Sequence, residues 1–233
     1  MASSEDFQPV LHADAFIFDI DGTLLNTRDL VHYNALNAAM RDVYGADTTI
    51  DRVRYHGMTD LGILRASLEL AGISSVDCEA KLPEALDVVR REVEQNAAKL
   101  RPEVCAGVPE LLERLEKTGK LLGVASGNLE SVGWRKIEAA GLRQYFRFGF
   151  FSDQCERRAG IFKNAVNAVR QRCGPQARVC FTGDTPADIK AAREVGAAIV
   201  AVCTGTYGEP ELSALLPDVC VSSCGELVAL FES

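Results

Sequence analysis

The chain has 233 residues, a net charge of −8 and a pI near 5.0, and 47% of its residues are apolar. The acidic balance argues against nucleic acid or an anionic membrane surface as the main partner. It does not exclude a phosphorylated substrate, because one basic residue and a metal ion can bind phosphate inside an acidic protein. No apolar run approaches membrane-spanning length, and the apolar fraction is sufficient for a full core.

The start of the chain and its cysteines indicate a cytoplasmic protein. Residues 1–6 are acidic and lack the basic and apolar regions of a secretory signal. The eight cysteines contain no Cys-x-x-Cys pair, which favours reduced thiols over a redox or zinc site.

The first predicted strand covers residues 13–20, after a flexible leader that reaches about His12. Residues 15–18 of this strand form a continuous apolar run, which leads into Asp19 and Asp21, followed by Gly22. Because alternate side chains of a strand point to the same side, the two carboxylates can face one site. They repel each other unless a cation lies between them. The alternative is a strand end with polar turn residues.

The next segment, residues 26–101, has the apolar spacing of helices and no convincing strand. The predicted helices cover residues 27–45, capped by Thr27, then 59–71 and 76–100, with a potential break at Pro83. We predict that residues 26–101 are a helical domain inserted into a core made of residues 1–25 and 102–233.

After Arg101, strands and helices alternate to the end of the chain. Strands are predicted at 120–126, 146–151, 178–184, 198–203 and 219–222, and helices at 107–119, 129–140, 160–172 and 186–195. Strands separated by helices of this length imply right-handed crossovers. The predicted fold class is therefore α/β, with a mainly parallel sheet covered on both faces.

Chemically reactive side chains follow three of the predicted strands, and ligand sites in such sheets lie beyond the carboxyl ends of the strands. Besides Asp19 and Asp21, these are the turn Ser126-Gly127-Asn128 and the pair Asp184 and Asp188. A hydroxyl and backbone amides at a helix start can bind phosphate, although a simple turn with a helix cap is equally compatible. The carboxylates fit Mg²⁺ better than zinc, with helix capping as the alternative for Asp184.

These motifs, in this order over residues 13–222, resemble the haloacid dehalogenase-like phosphohydrolases, nearest to the phosphoglycolate phosphatase-like branch with a helical cap. The resemblance implies a Rossmann-like core with residues 26–101 as the cap. It also implies that Asp19 attacks phosphorus to form an aspartyl-phosphate and that Asp21 is the general acid and base. Mg²⁺ would be held by Asp19, the Asp21 backbone carbonyl and Asp184, with support from Asp188. Phosphate would be bound by Ser126, Gly127 and Asn128.

The family also places a basic residue, usually Lys before Pro, ahead of the helix that precedes the fourth strand, and this sequence has no Lys-Pro pair. The candidates are Arg157, Arg158 and Lys163. The apolar stripe of the helix puts Lys163 on its polar side, whereas Arg158 lies just before the helix at the expected distance from Asp184. We predict Arg158, since a guanidinium can bridge carboxylate and phosphate. Solvated surface charge remains the alternative.

In the insert, His56 and Thr59 belong to a polar loop that we predict selects the substrate, with a surface histidine and a helix cap as the alternatives. The predicted function is a Mg²⁺-dependent phosphatase acting on a small phosphorylated metabolite, without nucleic acid or membrane partners. A sugar-phosphate mutase shares the aspartyl-phosphate and is the first alternative. An inactive phosphate-binding module on the same fold is the second.

Overall fold

The computed structural model describes residues 7–231. Its strands are β1 (Ala15–Phe18), β2 (Leu25–Thr27), β3 (Pro102–Val104), β4 (Leu121–Ala125), β5 (Gly149–Phe150), β6 (Val179–Gly183), β7 (Ala198–Val202) and β8 (Val219–Val221). Its α-helices are α1 (Gln8–Leu11), α2 (Val31–Tyr44), α3 (Asp60–Leu70), α4 (Ser75–Gln95), α5 (Val108–Lys117), α6 (Glu130–Ala139), α7 (Arg158–Cys173), α8 (Pro186–Glu194), α9 (Glu209–Ser213) and α10 (Cys224–Val228). None of the helices described is long and apolar enough to cross a membrane.

The core of the fold is a parallel sheet with the strand order β5-β4-β1-β6-β7-β8. Strand β1 is buried along its whole length and pairs with β4 on one side and β6 on the other. The predicted α/β class with a mainly parallel sheet is therefore confirmed. Because β4, β1 and β6 are neighbours and parallel, their carboxyl ends meet at one edge of the sheet.

Helices cover both faces of the sheet, and the alternation of β1 shows how. Phe16 and Phe18 belong to a hydrophobic cluster that includes Leu111 of α5. Ile17 points to the opposite face and belongs to a cluster with Phe162 of α7. Buried strands between two helical layers have continuous apolar sequences for this reason.

The helices α2, α3 and α4 form a separate hydrophobic cluster, which Leu129 and Val132 of the core also join. This agrees with the predicted helices of the insert, and α4 continues through Pro83. Where the chain enters and leaves the insert, β2 and β3 pair antiparallel. The expectation of no strand in residues 26–101 is therefore wrong at its first residues, because Asn26 and Thr27 belong to β2.

Some local predictions differ from the structure for identifiable reasons. Thr27 does not cap α2; the carboxylate of Asp29 accepts the Val31 N–H at 3.1 Å instead. The flexible leader is wrong for residues 8–11, which form α1 because Val10 is fully buried against the core; residues 1–6 lie outside the described part. Helix α7 begins at Arg158, not after it.

Candidate active site

A cavity of about 550 Å³ lies at the carboxyl ends of β1, β4 and β6. The core lines it with side chains that follow these three strands, and the insert lines it with residues of α2, α3 and the loop before α3. The sheet order therefore brings together the chemically reactive groups that the sequence places after three separate strands.

Three buried carboxylates form a cluster beside this cavity, and two of them, Asp19 and Asp184, line it. Asp19 follows β1, Asp184 follows β6 and Asp188 lies in the first turn of α8, and one oxygen of each lies within 4.8 Å of the others. Oδ1 of Asp19 is buried and has no hydrogen-bond partner among the described residues. Oδ1 of Asp184 accepts a hydrogen bond from the Thr23 hydroxyl at 3.1 Å.

Burial and crowding raise the pKa of two of these carboxyl groups. Burial raises the pKa of Asp19 to about 6, against the opposing charge of Arg158. Burial, together with the negative charges of Asp188 and Asp19, raises the pKa of Asp184 to about 8. Carboxylates this close repel each other, and a bound cation relieves both the repulsion and the burial cost.

The donor set of this cluster fits a hard divalent cation. It contains only oxygen ligands, and the unpartnered Oδ1 of Asp19 has a free acceptor position. The backbone around Asp184 is tightly packed: a Cβ built on Gly205 would lie 1.8 Å from Asp184 Oδ2, and one on Gly22 would lie 2.3 Å from it. Glycine at these positions allows the backbone to approach the carboxylate.

Of the three basic candidates, Arg158 is the one that the structure brings to the cluster. Its Nη1 lies 2.5 Å from Oδ1 of Asp188 and 3.4 Å from Oδ2 of Asp19, and its side chain is 10% exposed. Arg157 is exposed and pairs with Glu194, and Lys163 is exposed on α7. A guanidinium between the carboxylates offsets part of the negative charge of the site.

The turn after β4 lies beside the cluster and contacts the insert. The Asn128 amide donates to Oδ2 of Asp21 at 2.8 Å and to the Ser126 hydroxyl at 3.1 Å. From the insert, Asp60 donates its N–H to the Gly127 carbonyl and accepts the Leu129 N–H, each at 2.8 Å. The amide of Leu129 at the start of α6 is thus occupied by Asp60.

The model of the haloacid dehalogenase-like hydrolase family matches residues 16–202 of this chain. The chain belongs to this family. The resemblance drawn from the sequence is confirmed, and so is the prediction of a phosphoric monoester hydrolase, because named relatives of the chain are phosphatases.

Two relatives illustrate the likeness. The chain is 30% identical over 197 residues to the N-acetylmuramic acid 6-phosphate phosphatase of Pseudomonas aeruginosa, with 84% of each chain covered. It is 29% identical over 222 residues to a phosphoglycolate phosphatase of Agrobacterium fabrum, which covers 93% of this chain and 91% of the relative.

Solved structures share the fold. A predicted phosphoglycolate phosphatase from Haemophilus somnus 129PT superposes with a TM-score of 0.72 at 17% identity and covers 95% of this chain and 99% of its own. CbbY from Rhodobacter sphaeroides in complex with phosphate superposes with a TM-score of 0.70 at 17% identity, covering 92% and 96%. These likenesses show a haloacid dehalogenase-like α/β fold.

In this haloacid dehalogenase-like hydrolase, the two residues of the insert that were predicted to select the substrate differ in their exposure. His56 is exposed and lines the cavity, and its Nδ1 lies 3.2 Å from the Thr206 hydroxyl of the core. Thr59 is buried, and its hydroxyl accepts the Gly62 N–H at 3.2 Å, so it caps α3.

Sequence reasoning missed Lys136, which contacts Asp21. Its Nζ lies 2.8 Å from Oδ1 and 2.7 Å from Oδ2 of that carboxylate. Burial raises the pKa of Asp21, but the Lys136 ammonium and its hydrogen bonds outweigh burial and hold the pKa below its ordinary value. A signal was present, since Lys136 lies on the buried face of α6 with Val132, Gly133 and Ile137.

We expect Gly205→Ala to abolish Mg²⁺ binding, because the new methyl group would displace Asp184. Saturating Mg²⁺ should raise the Tm of the wild type by about 5–10 °C and leave that of the variant unchanged, as measured by calorimetry. Gly208→Ala is the control, since its Cβ would approach no closer than 3.6 Å to any atom. Equal Mg²⁺ shifts in both variants would show that the metal does not bind at Asp184.

Proposed function

We propose that this protein is a Mg²⁺-dependent phosphatase that hydrolyses a small phosphate monoester through an aspartyl-phosphate on Asp19. One observation carries the proposal: Asp19 lines the cavity as a buried carboxylate with an unpartnered oxygen, 3.4 Å from the Arg158 guanidinium. A cavity of about 550 Å³ suits a metabolite. A cytoplasmic location fits the eight cysteines, which are all free thiols.

The first task of the site is to bring a carboxylate to a phosphate dianion, which repels it. Asp19, Asp184 and the backbone carbonyl of Asp21 would hold Mg²⁺, whose positive charge would offset the negative charge of the phosphoryl oxygens. Arg158 adds a second positive charge on the side of Asp19. Asp188 holds Arg158 through Oδ1 and caps α8 through Oδ2, which fixes the guanidinium in place.

The second task is proton transfer at the leaving group. Asp21 lies two residues after Asp19, and its side chain is 39% exposed, towards the cavity. It gives a proton to the leaving oxygen and later takes one from the water that splits the aspartyl-phosphate. The Ser126 hydroxyl, the Gly127 amide and the Asn128 side chain hold the transferring oxygens.

Asp19→Asn should reduce phosphate release to background while leaving the fold intact, because an amide neither attacks phosphorus nor provides an anionic metal ligand. The assay is release of inorganic phosphate from a panel of small phosphate esters, with and without Mg²⁺. Asp47→Asn is the control, since Asp47 is exposed on the insert. Retention of more than a few per cent of activity by Asp19→Asn would refute the nucleophile. Return of the phosphoryl group to a sugar instead of water would indicate a mutase.

Arg158→Ala should lower kcat/KM by about 10²–10³-fold, because it removes a fixed positive charge beside the phosphoryl group. The matched variant is Lys163→Ala, whose side chain is exposed on the same helix, and we expect it to stay near wild type. Steady-state kinetics on one ester decides between them. Greater damage from the lysine variant would move the basic role to Lys163.

We also propose that residues 26–101 act as a cap that selects the substrate. The pair β2–β3 connects the cap to the core beside the catalytic end of β1, so a small rotation there opens or closes the cavity. Closure would exclude water from the reacting groups. The cap loop already contacts the core through His56 and Thr206.

For this cap, His56→Ala should lower kcat/KM for metabolite esters several-fold more than for 4-nitrophenyl phosphate, because a generic aryl ester does not need the selecting contact. Thr59→Ala is the comparison: loss of the α3 cap should cost about 1 kcal/mol of stability and affect both substrates alike. Equal losses on the two substrates in His56→Ala would mean that the loop only supports the fold.

A further inference from the structure

Lys136 is buried, although the helical structure of α6 does not require a lysine at this position. Its side chain is 3% exposed and lies on the buried face of α6. Within residues 7–231, its ammonium hydrogen-bonds to the two oxygens of Asp21 and to no other acceptor. Burying an ammonium costs several kcal/mol unless it is paired, and an apolar residue would fill the same position without that cost. The ion pair with Asp21 therefore accounts for a lysine at this buried position.

The contacts of Asp21 show what this pairing does. A carboxylate has about four lone-pair positions, and here each oxygen accepts two hydrogen bonds. Oδ1 accepts from Lys136 at 2.8 Å and from the Thr27 hydroxyl at 3.2 Å. Oδ2 accepts from Lys136 at 2.7 Å and from Asn128 at 2.8 Å. Lys136 is the donor that contacts both oxygens, so it fixes the plane and the rotation of the carboxylate.

We propose that Lys136 is a positioning residue that holds the Asp21 carboxyl group at the angle needed for proton transfer to the leaving oxygen. This role rests on the proposed function, in which Asp21 is the general acid and base. For that step Asp21 carries a proton at one of these acceptor positions. An oxygen of Asp19 forms a bond to phosphorus while the bond between phosphorus and the leaving oxygen breaks, the proton of Asp21 goes to the leaving oxygen, and the carboxylate that remains faces the Lys136 ammonium. The lysine thus contacts neither phosphorus nor the metal ligand oxygens of Asp19 and Asp184.

The test compares two esters whose need for a general acid differs. The alkoxide of an alkyl phosphate such as glycerol 1-phosphate is a poor leaving group and requires the proton. By contrast, 2,4-dinitrophenolate leaves a dinitrophenyl ester without one. We expect Lys136→Met to lower kcat/KM about 100-fold on the alkyl ester and less than about 10-fold on the dinitrophenyl ester. Because kcat/KM covers only the steps up to departure of the leaving group, hydrolysis of the aspartyl-phosphate does not mask the difference.

A control variant, a conservative variant and a replacement variant complete the experiment. Lys163 is exposed, so Lys163→Met should match the wild type on both esters. Lys136→Arg keeps a charged donor and should recover part of the alkyl-ester activity. Circular dichroism and Tm identify any variant that does not fold, and Lys136→Gln then replaces Lys136→Met.

The outcomes separate the two levels of the proposal. Equal losses on both esters would overturn the positioning role, since they would mean that Lys136 acts on the phosphoryl group or only on packing. Wild-type activity of Lys136→Met on the alkyl ester would overturn it as well. Failure of the wild type to release phosphate from either ester with Mg²⁺ would overturn the proposed function itself, and the role of Lys136 with it.

Discussion

Repulsion among the carboxylates at the ends of β1 and β6 and in the first turn of α8 is the constraint on which the site depends. Asp19, Asp184 and Asp188 are buried together, and burial raises the pKa of the first two to about 6 and about 8. A low-dielectric sheet edge makes such repulsion costly. Arg158 offsets part of it, and the oxygen-only cluster supplies the ligands that a divalent cation prefers.

Two buried cations pair with different carboxylates of the site. Arg158 of α7 pairs with Asp188 and lies near Asp19, the nucleophile of the proposed mechanism. Lys136 of α6 pairs with Asp21 alone among the described acids, and Asp21 is the proposed general acid and base. The pKa of Asp19 is raised and that of Asp21 is lowered, although both are aspartates two residues apart. Their surroundings, and not their residue type, set this difference in pKa.

The insert is joined to this site through Asp60. Its backbone N–H donates to Gly127, while its Oδ2 accepts the Leu129 N–H and lies 3.2 Å from Nε2 of His32. Asp60 thereby links α2 and α3 to the turn that is proposed to hold the phosphoryl oxygens. Movement of the insert would change these contacts and the shape of the cavity at the same time, which would connect the proposed cap closure with the proposed phosphate binding.

Local patterns in the sequence determined the α/β class, the helices between β2 and β3 and the carboxylates after β1 and β6, because periodicity, caps and strand ends are encoded over a few residues. The apolar spacing of the predicted helix also placed Lys163 on its polar side, which favoured Arg158 as the basic residue. Only the tertiary structure decided that β4, β1 and β6 are neighbours, which brings the three groups of polar residues to one edge. The pairing of Lys136 with Asp21, 115 residues apart, needed that arrangement too. Contacts of this kind depend on how crossover helices pack onto the sheet, which no local pattern records.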